Sequence, residues 1–349
     1  MDTNIAETIR LIAREKELDE EVLFESIQAA LITAYKKHFG NERQSRVTID
    51  RQSGEIHIYS QYEVVDEVED SDLQISLEDA KAINKNYEIG DTLEREEAPK
   101  DFGRISALAA KQVVVQRIRE AERNSILDEY KDREREIING VIQRINNGVV
   151  YFDLGKSEAL LLPKEQVRGE RYRLGSRFRT LITEVKATTK GPQILVSRTH
   201  PDLVKRLFEL EVPEIVEGDV IIKSIAREPG SRTKIAVESK LENLDPVGTC
   251  VGPKGSRVNS IVDELGGEKI DIIEYMDDPL KYIENALSPS KVVSVELNDK
   301  DARVIVPDYQ LSLAIGKEGQ NARLAAKLTG YKIDILSESQ AAEQADDEA

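Results

Sequence analysis

The residues best suited to chemistry in this sequence form two Gly-x-x-Gly segments, Gly252-Pro253-Lys254-Gly255 and Gly316-Lys317-Glu318-Gly319. Each segment stands between two short apolar stretches whose spacing predicts helices. Glycine lets the backbone turn sharply and lets another polymer approach it closely. The amides at the start of the following helix point outward, where they favour a phosphate group. The pattern therefore predicts a turn that contacts a nucleic-acid backbone, present twice.

The surroundings of the two turns repeat as well. Both copies end in the tetrapeptide KIDI, at Lys269–Ile272 and Lys332–Ile335, and both read as αββααβ. A doubled Gly-x-x-Gly in this frame is typical of the type II KH module, which clamps about four nucleotides of a single strand. Two such modules in one chain predict a longer grip on single-stranded RNA, because the second contact forms at high effective concentration.

A tight turn between two helices with no ligand is the alternative for each copy. It is stronger for the second copy, because Glu318 places a carboxylate where a phosphate should bind. Lys317, Arg323 and the side-chain amides of Gln320 and Asn321 can offset that charge. The residues expected to contact RNA at the two turns are Gly252, Pro253, Lys254, Gly255, Ser256, Arg257, Gly316, Lys317, Glu318, Gly319, Gln320, Asn321 and Arg323.

Five short β-type segments in residues 135–199 predict an OB-type (S1) barrel, with Asn147-Gly148 as its first hairpin turn. Such barrels bind single strands through a basic groove and exposed aromatic rings. Tyr151 and Phe152 are neighbours on one strand, so at most one of them faces the groove. The alternative places Phe152 in the core and the arginines on a solvated face. The barrel candidates for RNA contact are Arg144, Tyr151, Phe152, Lys156, Arg168, Arg171 and Arg173.

Upstream of the barrel, the sequence predicts an N-terminal α/β head with a long connecting helix, which makes the whole chain a multidomain α+β protein. Apolar residues recur at helical spacing through residues 4–38, and three short strands follow within residues 46–68. A short helix is predicted over residues 77–83. Residues 104–131 contain neither proline nor glycine, which favours one long helix.

These patterns divide the chain into five expected segments. They are an N-terminal domain with linker helix at residues 1–130, the barrel at 135–199, the first KH module at 200–282, the second at 283–337, and an acidic tail at 338–349.

The net charge of −17 is concentrated in two places. Residues 61–97 hold 13 acids and three bases, and residues 337–349 hold five acids and no base. The remainder is nearly neutral and can carry basic patches, as at residues 98–119 and 164–179. A nonspecific nucleic-acid binder would be basic overall, so the distribution indicates local binding surfaces. The tail is too polar to bury a core, and we expect it to be disordered and to lower RNA affinity only slightly.

Residue types for catalysis or metal binding are sparse. The histidines, His38, His57 and His200, are scattered, and the single cysteine, Cys250, adds no metal-ligand spacing. There is no GxxxxGK[ST] loop and no nucleophile elbow. We therefore expect no enzyme activity, no cofactor and no metal. No apolar run approaches the length of about 20 residues that spans a bilayer, and the N-terminus lacks a signal-peptide core, so we expect a cytoplasmic protein with no membrane partner.

The order of these parts resembles the NusA family of bacterial transcription termination and antitermination factors. The most specific segments are GRISALAAKQVVVQRIREAE, DPVGTCVGPKGSRVNSIVDELGGEKIDII and LAIGKEGQNARLAAKLTGYKIDIL, and the resemblance covers residues 1 to about 337. It implies an N-terminal domain that binds RNA polymerase and an S1–KH–KH body that holds nascent single-stranded RNA. It also implies effects on pausing, termination and antitermination, the last together with other Nus factors. We expect a monomer.

The head combines its acidic region with basic residues that suit a surface turned toward polymerase and emerging hairpin RNA: Lys36, Lys37, Arg104 and Lys111. Some relatives carry acidic repeats after the second KH module. This sequence ends in SESQAAEQADDEA, so we expect no inhibition of RNA binding from such repeats.

Two other functions stay open from the residues. One is an RNA-processing enzyme subunit with appended S1 and KH modules, and the other is a ribosome-associated RNA-binding scaffold. An enzyme would need a catalytic domain, and residues 1–130 contain no recognisable metal cluster. Copurification with RNA polymerase would separate a transcription factor from a scaffold.

Overall fold

The computed structural model describes residues 5–16, 18–39, 45–71, 73–97, 102–189 and 191–347. They form two compact units, the first ending at Ser125 and the second beginning at Ile126. The boundary falls inside a 30-residue helix. Within the described ranges, no helix combines the length and apolar character that crossing a membrane requires.

The first unit packs helices against a four-stranded sheet. Its helices are α1 (Ile5–Glu15), α2 (Glu20–Phe39), α3 (Leu77–Ile83) and most of α4 (Phe102–Lys131). Its strands are β1 (Ser45–Ile49), β2 (Ile56–Val65), β3 (Gln74–Ser76) and β4 (Thr92–Glu97). Strand β2 is central, since β1 and β4 run antiparallel to it and β3 runs parallel.

Helical spacing explains the core of this unit. Ile9 on α1 and Ile27 and Leu31 on α2 are buried together with Val47 and Ile58 of the sheet. One prediction was wrong here. Of the three short strands predicted within residues 46–68, the last two, EIHIYS and YEVVDEV, form the single strand β2, because no glycine or proline interrupts them.

The second unit begins with a closed five-stranded barrel in the order β5-β6-β7-β9-β8. Its strands are β5 (Ile137–Asn146), β6 (Val149–Asp153), β7 (Glu158–Leu161), β8 (Arg177–Thr188) and β9 (Gly191–Ser197). The turn between β5 and β6 has positive φ at both Asn147 and Gly148, 48° and 77°, as a two-residue hairpin loop requires. Phe152 is fully buried in the barrel core.

Two αββααβ modules follow the barrel. The elements of the first are α5 (Pro201–Glu211), α6 (Pro213–Glu217), β10 (Val220–Glu228), β11 (Arg232–Ser239), α7 (Pro246–Val251), α8 (Ser256–Glu264) and β12 (Lys269–Glu274). The elements of the second are α9 (Pro279–Ala286), β13 (Ser294–Asn298), β14 (Asp301–Val306), α10 (Leu311–Ile315), α11 (Gln320–Thr329) and β15 (Lys332–Ser337). In each sheet the middle strand runs antiparallel to the first strand and parallel to the last. This is the type II KH topology predicted from the repeat.

The structure differs from the prediction at one domain border and in the C-terminal segment. Helix α9 begins at Pro279, and Asp278 caps it by accepting a hydrogen bond from the amide of Leu280, so a border between residues 282 and 283 would cut the helix. The segment expected to be a disordered tail instead forms α12 (Glu338–Asp347). This helix contacts β14 and β15, and Ser339 donates a hydrogen bond to Asp308 over 2.8 Å. Residues 348 and 349 lie outside the described residues.

Candidate nucleic-acid interface

The two Gly-x-x-Gly turns have the same backbone conformation. The first glycines, Gly252 and Gly316, have φ of 74° and 78° with ψ of 172° and 171°. The third residues, Lys254 and Glu318, lie in the left-handed region at φ of 52° and 54°. A non-glycine residue there costs about 1–2 kcal/mol, and such strain persists where the surrounding structure enforces it, often at functional sites.

Packing behind each turn explains its first glycine. A Cβ at Gly252 would lie 2.7 Å from Cγ of Arg257, and a Cβ at Gly316 would lie 2.8 Å from the backbone nitrogen of Asn321. Arg257 and Asn321 occupy equivalent positions, five residues after the first glycine. No side chain larger than hydrogen fits between the turn and the helix that follows it.

Arg257 and Asn321 therefore lie behind the turns. Arg257 donates to the carbonyl of Thr249 over 2.7 Å and pairs with Glu214. Asn321 is 2% exposed and donates to the carbonyls of Ala314 and Leu287. Both side chains satisfy carbonyls that the end of the preceding helix leaves free. The prediction that Asn321 contacts RNA was wrong, and the guanidinium of Arg257 is already engaged within the protein.

The solvent-facing side of each turn carries the remaining candidates. Pro253, Lys254 and Ser256 are exposed at the first turn, and Lys317 and Glu318 are exposed at the second. The first turn thus presents an ammonium group beside the amides that open α8. The second presents a carboxylate at the position equivalent to Lys254.

Two candidates of the second turn reach across to the first KH module. Arg323 pairs with Glu228 at 2.6 Å, and Gln320 donates to Glu228 over 2.8 Å and to Ser231 over 2.7 Å. The hydrogen bond from Arg323, helped by Gln320, lowers the pKa of Glu228 below its usual value. Because their polar groups bind the β10–β11 turn, these two side chains hold the modules together in this structure.

Buried charges, which the sequence did not single out, lie at the border between the barrel and the first KH module and inside that module. Arg198 is 1% exposed, pairs with Glu170 of the barrel, and lies 3.1 Å from Glu264 of α8. Arg227 and Glu268 form a fully buried pair at 2.9 Å. Burial alone raises the pKa of Glu268, but Arg227, Thr233 and the amide of Gly230 outweigh it and hold the pKa below its usual value. Nothing in the residue pattern distinguishes these charges from solvated ones.

The turn between β10 and β11 packs closely against the barrel. An added Cβ at Gly230 would lie 2.5 Å from Cγ1 of Val167 and 3.1 Å from the carbonyl oxygen of Arg168. The same turn carries Ser231, which binds the second KH module. A single hairpin turn thus contacts both neighbouring modules.

The barrel candidates have separate surroundings. Phe152 is buried, so the prediction that it binds RNA was wrong. Arg144 pairs with Glu158 at 2.7 Å and lies 3.7 Å above the half-buried ring of Tyr151. Four basic candidates are exposed: Lys156, Arg168, Arg171 and Arg173.

In the first unit, Lys37, Arg104 and Lys111 are exposed and Lys36 is half-buried. Lys111 also lines a cavity of about 880 Å³ between α2 and α4, beside Leu108 and Ser26. The half-buried ring of His57 shares a hydrogen bond with Glu96 over 2.6 Å, which raises the pKa of this histidine.

Reactive groups are few among the residues described. No three His, Cys, Asp or Glu side chains of the described ranges group as metal ligands. Burial raises the pKa of Cys250 to about 12, so its thiol stays protonated in the core of the first KH module.

Comparison with known proteins follows the same division of the chain. Residues 4–124 match the NusA N-terminal domain, residues 198–275 the NusA-like first KH domain, and residues 279–343 the NusA-like second KH domain. The transcription termination/antitermination protein NusA of Halalkalibacterium halodurans is 56% identical, over 98% of this chain and 90% of that protein. The protein of the same name from Bacillus subtilis is 54% identical over 98% and 93%, and that of Thermus thermophilus is 42% identical over 95% and 89%.

Proposed function

Because the chain belongs to the NusA family of transcription termination and antitermination proteins, we propose that it regulates transcription by binding RNA polymerase and the nascent transcript at once. It works as a monomer in the cytoplasm, where bacterial RNA is made, and acts by binding rather than by catalysis. In antitermination complexes it acts together with other Nus factors.

The observation that carries this proposal is the paired Gly-x-x-Gly geometry. Both turns place an exposed lysine on a strained loop at the start of a helix, which suits a phosphate of a single strand. At the first turn, Lys254 adds its charge to the start of α8. The exposed basic residues of the barrel, Arg168 and Arg171, extend the surface available to the strand.

The two turns contribute unequally in this proposal. Glu318 repels a phosphate at the second turn, and Arg323 is already paired with Glu228. The first KH module therefore makes the stronger phosphate contact, and the second adds binding by holding more of the strand.

The first unit is the polymerase-binding part in this proposal, since residues 4–124 match the N-terminal domain of the family. Its exposed basic residues Arg104 and Lys111 on α4 attract the phosphates of a hairpin as it leaves the polymerase.

Transcription with purified bacterial RNA polymerase tests the proposal. Adding the full chain should lengthen hairpin-dependent pauses and raise the efficiency of hairpin terminators. Reversing the charges of Arg104 and Lys111 together should reduce the pausing effect while the variant still coelutes with polymerase. If the wild-type chain changes neither pausing nor termination, the proposed function is wrong.

A further inference from the structure

Tyr309 differs from the other aromatic residues in its exposure. Its side chain is 78% exposed, whereas every other aromatic side chain that the structure describes is buried or half-buried. Within the described residues, the side chain of Tyr309 has neither a hydrogen bond nor a ring contact that would give it a role in the fold. An exposed ring with no structural partner is a candidate for contact with a ligand.

Backbone geometry places this ring on the same helix face as the second Gly-x-x-Gly turn. The single helical turn Asp308–Gln310 continues directly into α10, because Gln310 and Leu311 both have right-handed helical backbone angles. Residues four and seven positions after Tyr309 therefore share its face. They are Leu313, which is 46% exposed, and Gly316, the first glycine of the turn. Seven residues of helix advance about 10 Å, so ring and turn are close neighbours.

The first KH module lacks this apolar surface. Its equivalent positions are Asp245 and Thr249, on the face that leads to Gly252. Asp245 caps α7 by accepting a hydrogen bond from the amide of Val247. The exposed aromatic surface is thus a property of the second module alone, the module whose turn carries the carboxylate of Glu318.

We propose that Tyr309, supported by Leu313, is a stacking platform for a nucleobase of the single-stranded RNA held at the second Gly-x-x-Gly turn. The proposal rests on the proposed RNA-binding function and names a base-contacting residue for it. Proteins that bind single strands combine backbone contacts with aromatic side chains on which bases stack. Since Glu318 weakens the phosphate contact of this module, stacking supplies binding that depends little on charge. Every base has a stacking face, so the contact tolerates different sequences.

The absence of tryptophan from the sequence gives a direct reporter. In Tyr309→Trp, the new indole is the sole tryptophan of the full chain. Titration with an unstructured 12-nucleotide RNA should quench its fluorescence, with the same dissociation constant that RNA anisotropy gives. Leu210→Trp is the matched control, because Leu210 is 59% exposed on α5 of the first module. Its fluorescence should stay unchanged when RNA binds.

Affinity gives the second readout. Tyr309→Ala should weaken binding of the same RNA at least about fivefold, whereas Tyr309→Phe should keep wild-type affinity. Leu210→Ala should have no effect. Because Tyr309 is exposed, all variants should unfold at the wild-type temperature.

The outcomes separate this proposal from the proposed function. If the wild-type chain binds RNA but Tyr309→Ala binds equally well and Tyr309→Trp is not quenched, the stacking platform is wrong and the RNA-binding function stands. If the wild-type chain binds no RNA, both are wrong. If Tyr309→Ala keeps RNA affinity but no longer coelutes with polymerase, the ring contacts a protein and the proposal is overturned.

Discussion

Lys254 and Glu318 occupy the same position in two turns whose backbones match closely. Their opposite charges give the two KH modules different electrostatic environments at the point where a phosphate would bind. Because the backbone accepts either side chain at this position, the two residues can be exchanged without new strain. The pair therefore offers a test of charge that leaves the fold unchanged.

Exchanging these charges should shift RNA affinity in opposite directions. Lys254→Glu should weaken binding of a single-stranded RNA about tenfold, equivalent to ~1.4 kcal/mol, because it replaces attraction by repulsion. Glu318→Lys should strengthen binding. Fluorescence anisotropy at several salt concentrations measures the RNA affinity of both variants. Lys254→Glu should also make RNA affinity depend less on the salt concentration. Equal affinities for wild type and Lys254→Glu would remove the first turn from the interface.

Glu268 carries a second prediction at this scale. Its folded pKa lies below the unfolded value, so the ionised carboxylate stabilises the fold above about pH 4.3, and that contribution is lost as the pH falls through the folded pKa. Glu268→Gln should lower stability at pH 7 by about 3–5 kcal/mol, since Arg227 loses its buried partner.

The pH profile distinguishes this role from simple loss of packing. Thermal unfolding between pH 7 and pH 3 should show a shallower acid decline in Glu268→Gln than in wild type. Glu242→Gln, at an exposed position, is the control and should follow the wild-type profile. An unchanged slope in Glu268→Gln would contradict the assigned charge state.

Residue types and spacing were sufficient to predict where the turns lie, but not which side chains face outward. Arg257 and Asn321 follow the turns in sequence, as RNA-contacting residues would, yet they bind carbonyls behind the turns. The orientation depends on which helix-end carbonyls need donors, and a single sequence does not show that. The buried charges Arg198 and Arg227 were missed for the same reason, because burial follows from how the modules pack.

At the scale of elements, local signals predicted the structure well where turn chemistry is specific. Asn147-Gly148 predicted the β5–β6 hairpin, and the repeat predicted both KH topologies. Composition alone misled for α12, where polarity indicated disorder. Its docking depends on particular contacts, such as that of Ser339 with Asp308, which overall composition does not reveal.

The β10–β11 turn should be sensitive to a single methyl group. Gly230→Ala places a Cβ 2.5 Å from Val167, so the barrel and first KH module must separate locally. We expect a loss of about 1–3 kcal/mol in urea unfolding beyond the cost of the positive φ. Gly169→Ala is the matched control, because it also has a positive φ but nothing within 4 Å of its Cβ. Equal losses in both variants would show that the close approach has no energetic role.

Deleting α12 should affect stability more than RNA binding. The helix contacts β14, β15 and Asp308, so removing residues 338–349 should lower the unfolding temperature slightly. Its acidic charges are screened beyond about 8 Å at physiological salt, so the dissociation constant for RNA should change less than about threefold. Fluorescence anisotropy at a physiological salt concentration of about 0.15 M measures this dissociation constant. A gain of tenfold or more would identify α12 as an inhibitory element.

At the scale of the whole molecule, the proposed function assigns different partners to the two units. Net acidity would oppose RNA binding if charge were uniform, but the net negative charge is concentrated in residues 61–97 and at the C-terminal end. In the second unit, the Arg198–Glu264 pair joins the barrel to the first KH module, and the β10–β11 turn contacts both the barrel and the second KH module. A strand bound at one module is therefore held near the next.

The central claim is that the first KH turn contacts nascent RNA while the chain is bound to polymerase. Its most direct test is photo-crosslinking in a halted elongation complex, with a photoreactive amino acid at the exposed Ser256. Position 210, exposed on α5, serves as the matched control. We predict crosslinks to the transcript from position 256 and none from position 210, once enough RNA has left the polymerase. Coelution with polymerase without any crosslink from position 256 would contradict the claim.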